Sequence, residues 1–277
     1  MKVSAPDWAM GILVLLVIWV IYGWHKQNES QQRDIPDAAK IAAAHQRTTT
    51  VPSTINPNPN RRDIRESREL IRAVSETYDV PAGILYGIWR KESDALASGW
   101  STGRGWYRAP ELVAPGGRCL SEYNAQRCDR WWRGLQAICS QRRNGTPICD
   151  PNQVHVSYAY AMGPMQVLPS VIIDVDGSNG WTANAADFDQ DGVVDPHSLP
   201  DAMAIAALEI RHRFERASAT MAAYDAWIYA ANGYYGSQSA GYYEGTTAGR
   251  RGVQDYWQQW CTTTGDCGSA TSAVAAR

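Results

Sequence analysis

Residues 8–24 carry no charged side chain, and residues 11–21 are almost wholly aliphatic. Seventeen residues in a helix span roughly 25 Å, the short end of a bilayer crossing. Trp8, Tyr22 and Trp24 bracket the stretch as interfacial side chains do. His25, Lys26 and Gln27 follow it, where a cleaved leader would carry small residues. The pattern therefore predicts an uncleaved transmembrane signal anchor over residues 1–25. Flanking charge does not orient it. Lys2 is offset by Asp7 on one side, and Lys26 and Arg33 by Glu29 and Asp34 on the other.

The cysteines supply the missing direction. Cys119, Cys128, Cys139, Cys149, Cys261 and Cys267 all lie beyond this segment. Their number is even, and none forms the Cys-x-x-Cys spacing of a zinc site. Disulfides in an oxidising compartment account for them most simply, with free buried thiols as the alternative. Short loops close easily, so 119–128, 139–149 and 261–267 are the expected pairs. The body of the chain is thus expected in a periplasm or outside the cell.

Residues 26–60 read as a flexible linker: polar at first, then rich in Thr, Pro and Asn. Residues 261–277 read as a loose C-terminal tail. About 200 residues remain, enough to bury the core of one domain. A net charge of −2 argues against a dedicated nucleic-acid binder.

That domain reads as mainly α. Ile64, Ser67, Ile71, Val74 and Tyr78 follow a helical period. Further helices are predicted over residues 125–141, 201–216, 220–231 and 252–260. Asp201 is the expected N-cap of its helix, and Asn232-Gly233 the expected stop of the next. Residues 153–160 alternate as a strand would. Twelve Trp and fourteen Tyr against two Phe suit either half-buried packing or stacking on sugar rings.

The segment 81–93 carries the first chemical signal. Pro81 suits a helix start, and Ile84, Ile88 and Glu92 then recur every four residues, with Leu85 and Trp89 beside them. An acid is thus placed at the end of an apolar stripe. Desolvation disfavours its charged form, and an acid protonated near neutral pH is what glycosidic cleavage requires. A Glu paired with a neighbouring cation is the plain alternative.

Two more motifs follow. Gly163-Pro164 forces a turn into which Gln166 brings both a donor and an acceptor, suited to a sugar N-acetyl or hydroxyl group. Asp187, Asp189, Asp191 and Asp195 occupy positions 1, 3, 5 and 9 of an EF-hand-like loop. Gly192 is at position 6, and Val193 offers a backbone carbonyl at position 7. Position 12 is Ser198 rather than Glu, so a nearby acid such as Asp201 would have to substitute. The expected ion is a structural Ca2+; a solvated acidic turn is the alternative.

Taken in order, Glu92-Ser93, the run Ala161-Met-Gly-Pro-Met-Gln166, and the acidic loop before an Ala-rich helix resemble a lytic murein transglycosylase of the membrane-bound B type. The likeness covers residues 64–260. It implies a lysozyme-like domain over residues 61–260, with residues 119–153 as a cysteine-rich insert departing from the family pattern. It also implies cleavage of the MurNAc–GlcNAc β-1,4 bond of peptidoglycan, leaving a 1,6-anhydro end. Glu92 then matches the catalytic acid/base, and Ser93, Met165 and Gln166 match groove residues. Asp187, Asp189, Asp191 and Asp195 match the calcium loop. Asn232, Tyr234 and Tyr243 are candidates for side chains near the catalytic group.

Only one acid stands in a suitable setting, whereas a hydrolase needs two flanking the bond. Glu92 is therefore expected to act first as acid and then as base, with no cofactor in the chemistry. The competing readings are a lysozyme or glucosaminidase that borrows Asp225 or Glu244, and a non-catalytic peptidoglycan-binding part of an envelope channel. The expected partners are glycan strands and, through the anchor, the inner membrane. A phage or conjugation role, with an extracellular or virion location if phage-encoded, is open to the same residues.

Overall fold

A computed structural model describes residues 64–94, 107–172, 186–236, 241–245 and 251–267; the side chains of residues 64–66, Ser93 and Asp94 are outside that description. All of these residues belong to one compact unit, Pro36–Arg277. The predicted anchor and linker, residues 1–60, lie outside the described residues, as does the tail from 268. No described helix is long and apolar enough to cross a membrane.

The described helices are α1 (Ile64–Tyr78), α2 (Ala82–Asp94), α3 (Arg118–Glu122), α4 (Ala125–Ser140), α5 (Pro169–Ile172), α6 (Leu199–Ser218), α7 (Ala223–Tyr234) and α8 (Val253–Thr264). Among the described residues, strand is confined to two-residue pieces. Of these, β1 (Tyr107–Arg108) pairs antiparallel with β4 (His155–Val156), and β2 (Arg142–Arg143) with β3 (Thr146–Pro147). The domain is thus mainly α, as expected.

The helix that carries Glu92 sits at the centre. Ile84, Leu85 and Ile88 are fully buried. α2 packs chiefly on α8, and also on α1 and α6. Two glycines one turn apart permit the main contact. A Cβ at Gly83 would lie 2.0 Å from Trp257 Cδ1, and one at Gly87 2.7 Å from the Val253 carbonyl oxygen. Helix α6 is buried nearly all round through its first three turns, with Asp201 and Glu209 the acids among its buried residues, and its other buried side chains are apolar, as a mid-domain helix requires.

The cysteine-rich insert is stapled twice. Cys119–Cys128 joins α3 to α4, and Cys139–Cys149 closes the β2–β3 hairpin. Asn124 caps α4 by accepting from the Arg127 amide at 2.8 Å. The third expected pair is not bonded: Cys261 and Cys267 are free thiols. Cys267 is pinned through its carbonyl by Trp257 Nε1 at 3.3 Å. In that setting the two thiols meet as a hydrogen-bonded pair. Burial, then this contact, pushes Cys261 up to about 12.

Several predicted boundaries move, each for a tertiary reason. α6 starts at Leu199 after Ser198, with Pro200 in its first turn, so Asp201 is its third residue and not its cap. α7 runs through Asn232-Gly233 to Tyr234, because Asn232 is buried and its side chain is satisfied by another segment. Of residues 153–160, only His155 and Val156 are strand, since β1 offers a two-residue partner. The loose tail does not begin at 261: α8 extends to Thr264 and ends at Gly265, whose φ of 69° is left-handed. Arg68 Nη2 donates to the Thr264 carbonyl at 2.8 Å, and Arg72 Nε to Asp266 at 2.9 Å.

Candidate active site

Glu92 lies in the last turn of α2, half-buried at the end of its apolar face. Tyr242, buried, donates its hydroxyl to Glu92 Oε1 at 2.6 Å. Lys91 places its ammonium 5.0 Å from the centre of the Tyr242 ring and donates to the Arg251 carbonyl at 3.1 Å. Desolvation dominates the electrostatics. It pushes the Glu92 carboxyl up to about 7, against the opposing pull of the Tyr242 bond and the Lys91 charge. This acid can therefore give up or take a proton near neutral pH.

Two more segments complete the neighbourhood. Tyr234, at the end of α7, donates to the Met165 carbonyl at 2.6 Å, tying the Gly163–Gln166 turn to α7. Burial, and then the charge of Glu92, raises both the Tyr234 and Tyr242 hydroxyls well above their ordinary range, so both remain donors. Tyr235 is 63% exposed and stacks on Tyr242 at 5.1 Å and 15°. A flat aromatic face is thus presented to solvent beside the Glu92–Tyr242 pair.

The expected groove residues fare differently. Tyr234 stands in this neighbourhood. Tyr243 does not face it: its ring is in the core at 1% exposure. The neighbouring Tyr242 reaches Glu92 instead, in a segment held by the bond from the Tyr243 amide to Asn232. Asn232 is buried and accepts from the Tyr243 amide at 3.0 Å, so it positions this segment. Met165 is buried and contributes its carbonyl. Gln166, at a φ of 50°, turns its amide back to the Gly163 carbonyl at 2.9 Å, so that donor braces the turn. Ser93 is in α2, with its side chain outside the described residues.

Sequence reading missed Tyr242, whose signal, one of several tyrosines in a Gly/Tyr-rich stretch, has no period to mark it. It also missed Glu209, a buried acid on α6 whose charge acts on Tyr234. Arg213 pairs with Glu209 through Nε at 2.6 Å and Nη2 at 2.5 Å. Asp225 and Glu244, the alternative second acids, are both exposed.

The acidic loop lies behind the Gln166 turn. A Cβ on Gly163, whose φ is 72°, would meet the Pro196 carbonyl oxygen at 1.7 Å, so only glycine lets the two backbones touch. Carboxylate oxygens of Asp187, Asp189 and Asp201 lie within 4.8 Å of one another. Among the described residues, Asp187 Oδ1 is buried without a hydrogen-bond partner, and these features fit a cation at the inner half of the loop. Asp201 has a further duty, accepting from the Phe188 amide at 2.8 Å and the Asp195 amide at 2.9 Å. Burial and Asp189 push it up to about 8. The outer half fits a metal less well. Asp191 and Asp195 are both engaged by Arg143, and Ser198 donates to Asp189 at 3.3 Å. Val193 turns its amide to Asp191 Oδ1 at 3.1 Å.

A family model described as Transglycosylase SLT domain matches residues 58–223. Neither a curated protein nor a solved structure matches the chain. The matched segment contains Glu92, the Gln166 turn and the acidic loop, and stops before Asn232, Tyr234 and Tyr242.

Proposed function

Because this chain belongs to the Transglycosylase SLT domain family, whose members are peptidoglycan-cleaving lytic transglycosylases, we propose that it is one of the membrane-bound B type. It would cut the MurNAc–GlcNAc β-1,4 bond and close a 1,6-anhydro end. The observation that carries this reading is a single acid poised near pH 7 and oriented by one tyrosine.

In this mechanism Glu92 gives its proton to the glycosidic oxygen as the C1–O bond breaks, and the electron pair leaves with the GlcNAc 4-oxygen. The acetamido oxygen of the MurNAc closes on C1 and holds the positive centre. Glu92, now a carboxylate accepting from Tyr242, takes the proton of the 6-hydroxyl as O6 displaces the acetamido oxygen from C1. No second carboxylate is needed. That agrees with the exposure of Asp225 and Glu244 and with the pairing of Glu209 to Arg213. The stacked face of Tyr235 suits a sugar ring one site away.

The two disulfides support an oxidising compartment. With residues 1–25 as anchor, the catalytic domain would sit in the periplasm, or outside the cell if phage-encoded. Asp187, Asp189 and Asp201 would form the inner part of a structural calcium site, and the ion would supply charge balance to the loop and take no part in bond cleavage.

The test is to digest purified peptidoglycan with the full chain and weigh the muropeptides, with Glu92→Gln alongside. Products one water lighter than reducing-end muropeptides are expected. Reducing ends would indicate a hydrolase, and intact glycan a binding protein; either result sinks the reading.

A further inference from the structure

We infer that Arg143, carried by the disulfide-closed hairpin of the insert, is the resident cation of the acidic loop, and that calcium must displace it to bind there. This goes beyond the proposed glycan chemistry and does not depend on it.

The hairpin is built to hold one side chain in place. Cys139–Cys149 closes its base. Asn144 and Gly145 form its tip with φ values of 53° and 80°, the left-handed pair that a two-residue hairpin turn requires. Gln141 then docks the hairpin on the loop by a reciprocal pair: its Nε2 donates to the Val194 carbonyl at 3.0 Å, and its Oε1 accepts from the Val194 amide at 2.8 Å. Two residues on, Arg143 Nε lies 2.5 Å from Asp191 Oδ2 as an ion pair without hydrogen-bond alignment, and Nη1 donates to Asp195 Oδ2 at 3.4 Å. The guanidinium thus spans positions 5 and 9 of the loop.

Those two acids are half of the four that the loop spacing offers to an ion. Calcium takes six to eight oxygens, and the loop spacing assigns two of its carboxylate positions to Asp191 and Asp195, so the inner acids alone would have to fill the shell with waters. Recruiting Asp191 and Asp195 would bring a divalent ion close to a guanidinium, and the repulsion between them is large at such separations. Ion and arginine therefore exclude each other at these carboxylates. A fixed guanidinium also relieves the mutual repulsion of the acids, which in its absence would leave the loop loose before α6.

The test is a calorimetric calcium titration of the full chain, stripped with chelator, beside Arg143→Gln. The variant is expected to bind calcium at least tenfold more tightly than the wild type. Its melting temperature is expected to fall in chelator and to recover with calcium more than the wild type's rises. Equal or weaker affinity in the variant would overturn the inference, as would a wild type that retains calcium through chelation. If circular dichroism shows Arg143→Gln unfolded, Arg143→Lys decides. It keeps one charge but loses the fork, so severalfold tighter calcium binding is expected, and unchanged affinity overturns the proposal.

Discussion

The Tyr242 hydroxyl lies 2.6 Å from Glu92 Oε1, across 150 residues of sequence. The bond favours the carboxylate, whereas burial favours the acid and prevails. Cleavage that starts from protonated Glu92 therefore declines as pH rises through about 7. Tyr242→Phe removes the interaction that stabilises the charged form, so the variant's acid stays protonated to higher pH. A hydrogen bond to a charged group contributes about 1.5–3 kcal/mol, so the alkaline limb is expected to move up by roughly one pH or more. A profile of kcat/KM against pH for both proteins measures this; a limb that stays in place would contradict the assigned role.

Replacing Glu92 by Gln is expected to lower turnover by about 10²–10⁴-fold or more while leaving glycan binding intact. It is also expected to stabilise the fold. The Glu92 pKa rises from 4.5 to about 7 on folding, so burial costs nothing below pH 4.5 and its full amount above pH 7. At pH 8 that amount is on the order of 3 kcal/mol. Melting curves should show the gain at pH 8 and none near pH 4. A gain that persists at low pH would point to packing instead.

Gly83→Ala tests the contact that seats α2. The new methyl would fall on the Trp257 ring, 2.0 Å from Cδ1. Overpacking of this kind costs about 1–3 kcal/mol. Because Glu92 is on the same helix, activity is expected to fall along with the melting temperature. A variant with unchanged stability would show that α8 can shift freely.

Reducing the two disulfides is expected to destabilise the insert without unseating Glu92. They close separations of 9 and 10 residues, and loops of that size contribute about 2–4 kcal/mol each. Thiol counting under denaturing conditions should find two free thiols before reduction, Cys261 and Cys267, and six after it. Finding none before reduction would establish a third bridge.

The helix that carries Glu92 was legible because its signal is local. Pro81, the four-residue apolar period and Glu92 at its end belong to one helix, and a helix reports its buried face through spacing alone. The acidic loop was legible for the same reason, the places of its acids being set by count. The groove was less so. Tyr243 was singled out where Tyr242 reaches the acid, because in a non-helical segment the facing depends on which backbone group is tethered, and Asn232 tethers the amide of Tyr243.

Local pattern also placed the two short disulfides and the Ala-rich α6. Tertiary structure decided the rest. It made Asp201 a gatherer of loop amides where an isolated helix would use it as a cap. It carried α7 through Asn232-Gly233, and it delivered Arg143 to a loop whose acids begin 44 residues later (187 − 143). Spacing along a chain encodes which residues share a helix face. Which distant groups meet depends on how whole elements pack, and that depends on volumes such as the missing side chains of Gly83 and Gly163, where, among the described glycines, an added Cβ would be most crowded.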